Sequence, residues 1–135
     1  MEYLQILNRL YSLTHKGVTL GLERVQKAAE ILKNPQNELC IVQIGGTNGK
    51  GTVSAVLANA LKKTGYKTGL FTSPHLHRFS ERIKINNEEV SKELLSKHLG
   101  RVLDLNDSHS DLSLSFFEVS LLAALTLFGE MKLDV

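Results

Sequence analysis

The chain has 135 residues, 42% of them apolar and 22% charged, with 16 Lys+Arg against 14 Asp+Glu and a net charge of +2. That is one ordinary domain's worth of foldable chain, and the balanced charge argues against a dedicated nucleic-acid or membrane-surface binder. The single cysteine, Cys40, excludes an internal disulfide framework and a multi-cysteine zinc site. The N-terminus lacks the basic, apolar and small-residue blocks of a signal peptide. The longest apolar stretch, residues 121–128, is too short to span a bilayer, so the reading is of a soluble, cytoplasmic chain.

In chain order, Leu4, Leu7 and Leu10 predict a helix over 1–11, followed by a loop over 12–21. Leu22, Val25, Ala28, Ala29 and Leu32 predict a second helix over 22–33, stopped at Asn34-Pro35. Residues 39–44, with Ile41, Val42 and Ile44, suit a buried parallel strand, and Cys40 beside them suits a small apolar residue. A glycine-rich turn over 45–51 leads to a predicted helix over 52–64, with Val53, Val56, Leu57, Ala60 and Leu61 on one side and Gly65 as its cap. Residues 67–72 read as a second strand, which completes a βαβ unit. An irregular stretch follows to 81. Ile83, Ile85 and the Asn86-Asn87 pair then predict a small hairpin or extended excursion over 82–90.

Ser91 is placed to cap a helix running to about Leu105, with a polar loop over 106–113. Residues 115–128 are apolar nearly all round and predict a buried helix, with Phe116 and Phe117 as core. Ser115-x-x-Glu118 has the form of a capping box, which gives Glu118 a structural role. Residues 132–135 look like the start of another strand. A natural domain seldom stops one or two residues into a buried strand, so the chain is expected to be the N-terminal piece of something longer.

The strongest chemical signal is Gly45-Gly46-Thr47-Asn48-Gly49-Lys50-Gly51-Thr52, between a predicted strand and a predicted helix. Glycines let backbone N–H groups converge on phosphate oxygens, and the helix N-terminus adds positive potential. Lys50 supplies a mobile charge for the β- and γ-phosphates, and Thr52 a hydroxyl for Mg²⁺. The fit to the general G-x-x-x-x-G-K-[ST] pattern is imperfect: position 44 is Ile, and Gly51 separates Lys50 from Thr52. His75 and His77 could suggest zinc, but no third ligand of the right type lies nearby in sequence.

Gly46 to Thr52 resembles the phosphate loop of folylpolyglutamate synthase/dihydrofolate synthase, within the Mur ligase superfamily. Gly21-Leu22-Glu23-Arg24, Asn34-Pro35-Gln36, Thr72-Ser73-Pro74-His75-Leu76, the run from Arg78 to Asn86 and Ser115-Phe116-Phe117-Glu118 resemble that family in the same order. Gln43, Gly45 and Ser80 depart from its usual residues.

The resemblance implies an α/β fold with a phosphate loop and a mostly parallel sheet flanked by helices. Residues 1–135 would be the N-terminal part of the ATP-binding domain, about a third of such an enzyme, with the C-terminal glutamate-ligase domain absent. The implied activity is ATP-dependent addition of L-glutamate to a folate, to dihydropteroate, or to both, through an acyl phosphate. ATP and Mg²⁺ are the implied cofactors. The implied partners are the folate or dihydropteroate and L-glutamate, with no nucleic acid or membrane, and the full-length protein would be a monomer.

By the same resemblance Gly46, Thr47, Asn48, Gly49, Lys50, Gly51 and Thr52 hold the nucleotide, and Lys50 acts in catalysis. Ser73 and Thr52 hold the metal, while His75, Arg78, Phe79, Glu81 and Arg82 line the substrate site. The 135 residues alone are expected to be inactive, since the family's later metal ligands lie beyond them. Two other readings stay open: a Mur-type ligase acting on a cell-wall precursor, and a non-catalytic nucleotide-binding fragment.

Overall fold

The structure, a computed structural model, describes residues 2–17 and 20–135. Met1, and Val18 and Thr19 of the expected 12–21 loop, lie outside the described residues. Helix α1 (Tyr3–Ser12) runs into a 3₁₀ turn (Leu13–Lys16), and α2 (Glu23–Ile31) is followed by another (Pro35–Glu38). Asn34 takes a left-handed conformation between them (φ 51°). Then come α3 (Lys50–Lys63), β1 (Gly69–Phe71), a third 3₁₀ turn (Phe79–Arg82), β2 (Ile83–Ile85), β3 (Glu88–Glu89), α4 (Lys92–Ser108) and α5 (Phe116–Glu130).

The core is helical. One stripe of α1 (Ile6, Leu10) meets α4 (Leu95, Leu99, Val102, Leu103), and α4 packs along α5 (Val119, Leu122, Ala123, Leu127). Gly100 permits a close approach of α1 to α4, because a Cβ there would sit 3.2 Å from Ile6 Cδ1. Arg9 ties the same helices at the surface, with Nη2 2.9 Å from both Asp104 and Asp107. Ser91 caps α4 by accepting from the Leu94 N–H. The helix runs three residues past Leu105, and buried Asn106 accepts from the Leu114 N–H at 2.8 Å, which fixes the turn into α5.

The sheet has three antiparallel strands in the order β1-β2-β3. Asn86 and Asn87, with φ of 50° and 66°, make the two-residue turn of the expected hairpin. Among the described residues, parallel pairing is confined to the other edge of β1. There Gly69 donates to Val135 O at 2.9 Å, and Lys67 O accepts from Asp134 at 2.8 Å and Val135 at 3.4 Å. Asp134 and Val135 thus bond along that edge, while the Leu133 N–H still reaches back to Phe128 O at the end of α5, so the expected strand over 132–135 is not formed as such.

Residues 39–44 correct the sequence reading. They form no strand, Ile41 and Val42 are more than half exposed, and Cys40 is exposed. A buried parallel strand needs hydrogen-bonded neighbours, and among the described residues none lies beside this segment. The βαβ unit therefore lacks its first strand as a paired element. Instead residues 39–44 wall a largely apolar groove of about 590 Å³ with α3, β1, the 133–135 segment and the Phe117, Leu121, Leu125 and Phe128 face of α5. Phe117 is 47% exposed there rather than in the core. Helix α3 begins two residues earlier than expected and buries only Ala58, while Val53 and Val56 face outward.

Candidate functional site

The loop from Gly45 to Gly51 is shaped by glycine conformations that other residues resist. Gly46 has φ 142° and Gly49 φ 76°, and nothing crowds either one. Gly49 is the N-cap of α3 and offers no side chain to cap it. The helix's first own bond is Val53 N–H to Gly49 O at 3.0 Å, so the amides of Lys50, Gly51 and Thr52 point out of the helix start. Lys50 folds back over the loop, its Nζ donating to Gly46 O at 2.5 Å. Ser54 Oγ is turned onto the Lys50 carbonyl. Outward amides, a helix N-terminus and a flexible ammonium are together chemically suited to a polyanion.

Lys50 and Gly51 share the apolar groove with Thr72 and Ser73, the first residues after β1. Ser73 is exposed and precedes a cis peptide bond to Pro74. Thr52 is exposed but lies outside the lining of that groove. Both hydroxyls suit a hard divalent cation that keeps several waters. Among the described residues, no group of three or more His, Cys, Asp or Glu is placed to hold a metal.

Beyond Pro74 the chain organises around two side chains. The Glu81 carboxylate collects the N–H groups of Leu76 (2.9 Å), His77 (3.0 Å) and Arg78 (2.8 Å). The Leu76 amide, followed by those of Arg78 and His77, holds its pKa down at about 2. Glu81 is thus occupied in shaping the loop. Arg78 reaches outward to Glu89 (2.9 Å), which also accepts from Ser80 Oγ (2.6 Å). The Ser80 and Arg78 bonds keep the Glu89 pKa low.

The second organiser is Arg82, buried with its guanidinium 5.0 Å from the Phe116 ring centroid and 6.0 Å from that of Phe79. Its Nε donates to His75 Nδ1 at 2.7 Å, and His75 Nε2 lies 3.2 Å from the Tyr11 hydroxyl. Burial, helped by the Arg82 charge and opposed by Glu81, lowers the His75 pKa. Burial also lowers that of Arg82. With both ring nitrogens engaged, His75 is not arranged as a zinc ligand.

The structure therefore groups the expected residues in two places. Gly46 to Lys50, Gly51 and Ser73 stand around the glycine loop and groove. His75, Phe79 and Arg82 stand in an aromatic cluster, with Arg78 and Glu81 at its outer edge. Sequence reasoning missed Tyr11, which stacks on Phe116 (centroids 5.5 Å, planes 27°) and touches His75. Its only sequence signal was a place on an apolar helical stripe. Glu118 does close the capping box with Ser115, and in addition it pairs with Arg24 at 3.1 Å.

No family model matches the chain. It is 37% identical over 129 residues, 96% of its length, to the dihydrofolate synthase/folylpolyglutamate synthase of Escherichia coli, and it spans 30% of the length of that relative. Among solved structures, a folylpolyglutamate synthase from Thermotoga maritima is 39% identical with a TM-score of 0.88, covering 98% of this chain and 31% of that one. A bifunctional folylpolyglutamate synthase/dihydrofolate synthase with Mn, AMPPNP and L-glutamate bound is 37% identical with a TM-score of 0.84, over 96% of this chain and 31% of that one. Over nearly all its length the chain is thus homologous to the N-terminal portion of these synthases and shares their α/β fold.

Proposed function

We propose that this chain is the phosphate-gripping portion of an ATP-dependent amide ligase that adds L-glutamate to a folate, to dihydropteroate, or to both. The observation that carries the reading is the loop from Gly46 to Lys50, with its two left-handed glycines, uncapped helix start and flexible lysine. The likeness to synthases of that name, one of them solved with a metal, an ATP analogue and glutamate, supports it.

In this reading Gly46, Thr47, Asn48, Gly49, Gly51 and Thr52 offer backbone N–H groups to the phosphates. Lys50 leaves the Gly46 carbonyl and neutralises charge at the γ-phosphoryl group. Thr52 and Ser73 would hold a magnesium ion, which would supply screening of the phosphate oxygens. The groove bordered by Ser73 and the cluster around His75 and Arg82 orient the second substrate. Its carboxylate oxygen takes the γ-phosphoryl group, the glutamate amine attacks the resulting acyl phosphate, and phosphate leaves as the amide forms. Residues 1–135 supply the ATP-binding side, and a further domain supplies glutamate binding and shields the acyl phosphate from water. The complete enzyme acts as a cytoplasmic monomer. In the structure, no helix among the described residues is long and apolar enough to cross a membrane.

Lys50→Ala tests the reading by calorimetric titration of Mg-ATP into the complete ligase. A charge-assisted contact to phosphate contributes about 1.5–3 kcal/mol, so affinity should fall roughly 10- to 150-fold. Unchanged affinity would refute the role of Lys50.

A further inference from the structure

Tyr11, His75 and Arg82 come from three separate segments, and the hydrogen bonds joining them have a fixed direction. A guanidinium can only donate. Because Arg82 Nε–H points at His75 Nδ1 at 2.7 Å, Nδ1 must be the bare, accepting nitrogen of the ring. The imidazole proton then sits on Nε2, which faces the Tyr11 hydroxyl at 3.2 Å and donates to it. A hydroxyl that accepts from histidine keeps its own proton free to give to something else.

The geometry is held from every side. Arg82 is buried against the rings of Phe79 and Phe116. The Tyr11 ring is stacked on Phe116, and the His75 ring meets Phe79 edge-on at 6.2 Å. The tyrosine itself remains 37% exposed, so the end of the chain of bonds reaches the surface.

We infer that Tyr11 is a specificity-determining hydrogen-bond donor, oriented by Arg82 through His75, for an acceptor oxygen on the carboxylate-bearing substrate of the ligase. This rests on the function proposed above for the substrate, and on hydrogen-bond direction alone for the relay. The relay runs from a permanent donor to a neutral imidazole and then to a phenol. No proton is transferred along it; it sets which atom carries one. The same bonds fasten α1 to the loop that follows Ser73, so Tyr11 offers its proton from a rigid element.

Two measurements test it separately. Long-range ¹H–¹⁵N NMR of the 135-residue chain reads the His75 tautomer, with the signal assigned through His75→Gln. A pyrrole-type Nε2 is expected, and it should persist in Tyr11→Phe because Arg82 sets it. A pyrrole-type Nδ1 would overturn the relay. In the complete ligase, Tyr11→Phe keeps the ring stack and removes only the hydroxyl. With dihydropteroate as the substrate, its KM should rise about three- to ten-fold, the worth of one hydrogen bond, while the KM for ATP stays put. An unchanged dihydropteroate KM, or an equal rise for ATP, would overturn the donor role. If the unsubstituted ligase consumed no ATP with dihydropteroate or a folate, the ligase reading and the substrate assignment would fall together, and the tautomer would still decide the relay.

Discussion

Glu118 is expected to hold the start of α5 to α2, and thermal stability tests that role. Its side chain is 12% exposed, and the carboxylate accepts from Ser115 N–H at 2.8 Å and from Arg24 Nη2 at 3.1 and 3.3 Å. Ser115 Oγ completes the cap by accepting from the Glu118 N–H. Glu118→Ala takes the carboxylate away from an Arg24 side chain that is only 19% exposed, and it opens the capping box. Breaking a buried pair costs about 3–5 kcal/mol, with the lower end apt for ends that keep some solvent. Loss of the cap adds about 1 kcal/mol. The sum, about 4 kcal/mol, is a large share of a domain stability of about 5–15 kcal/mol. Thermal unfolding of the 135-residue chain should then fall by roughly 10 °C or more. Glu118→Gln keeps an acceptor for Ser115 and loses the charge, so its loss should be roughly half as large. The gap between wild type and Glu118→Gln should survive high salt, because a covered pair is poorly screened. If Glu118→Ala unfolded at the wild-type temperature, the structural role would be refuted.

Three further outcomes follow from packing and titration. Gly69→Ala would put a methyl 2.6 Å from Leu133 Cδ1 and 3.0 Å from Phe128 Cε1, an overpacking that should cost about 1–3 kcal/mol in urea unfolding. The Glu81 pKa is depressed to about 2, so its stabilisation of the 76–78 loop is full above the ordinary value of 4.5 and is lost as pH falls from there through about 2. NMR shifts of the Leu76, His77 and Arg78 amides should follow that titration in the wild type and lose it in Glu81→Gln. His98 is buried, with Nδ1 3.0 Å from Thr126 Oγ1 and Nε2 3.6 Å from Glu130. Thr126 gives its own proton to Ala123 O, so it accepts from His98. Burial, with Lys97 and Arg101 adding and Glu130 opposing, lowers the His98 pKa. The folded state favours the neutral ring, so stability is whole above pH 6.5 and declines as pH falls below it. The urea midpoint should be higher at pH 7.5 than at pH 5.5, and His98→Gln should narrow that difference.

The two halves of the candidate site were legible to different degrees, for a physical reason. The glycine loop is a matter of backbone conformation, and Gly46, Gly49 and the lysine that follows announce it within a few residues. The same holds for the Ser91 cap, the Ser115 to Glu118 box and the Asn86-Asn87 turn, all of which satisfy local donors with local acceptors. The aromatic half is assembled from α1, the loop after Ser73, a 3₁₀ turn and α5. No spacing in the sequence could bring Tyr11 to His75, or set Arg82 over Phe116.

Apolar residues gave the least reliable positions, because hydrophobicity states what a side chain avoids without naming what will cover it. Ile41 and Val42 read as part of a buried strand, and Val53 and Val56 as the apolar side of a helix, and all four are exposed. Phe117 read as core and instead lines the groove that also borders Lys50 and Ser73. That misreading is instructive: the groove joins the glycine loop to the apolar face of α5, so exposed aromatic and aliphatic groups lie beside the start of α3. A phosphoryl group held at Lys50 would meet low-dielectric walls on one side, where its attraction to the lysine and the loop amides is stronger than in open water.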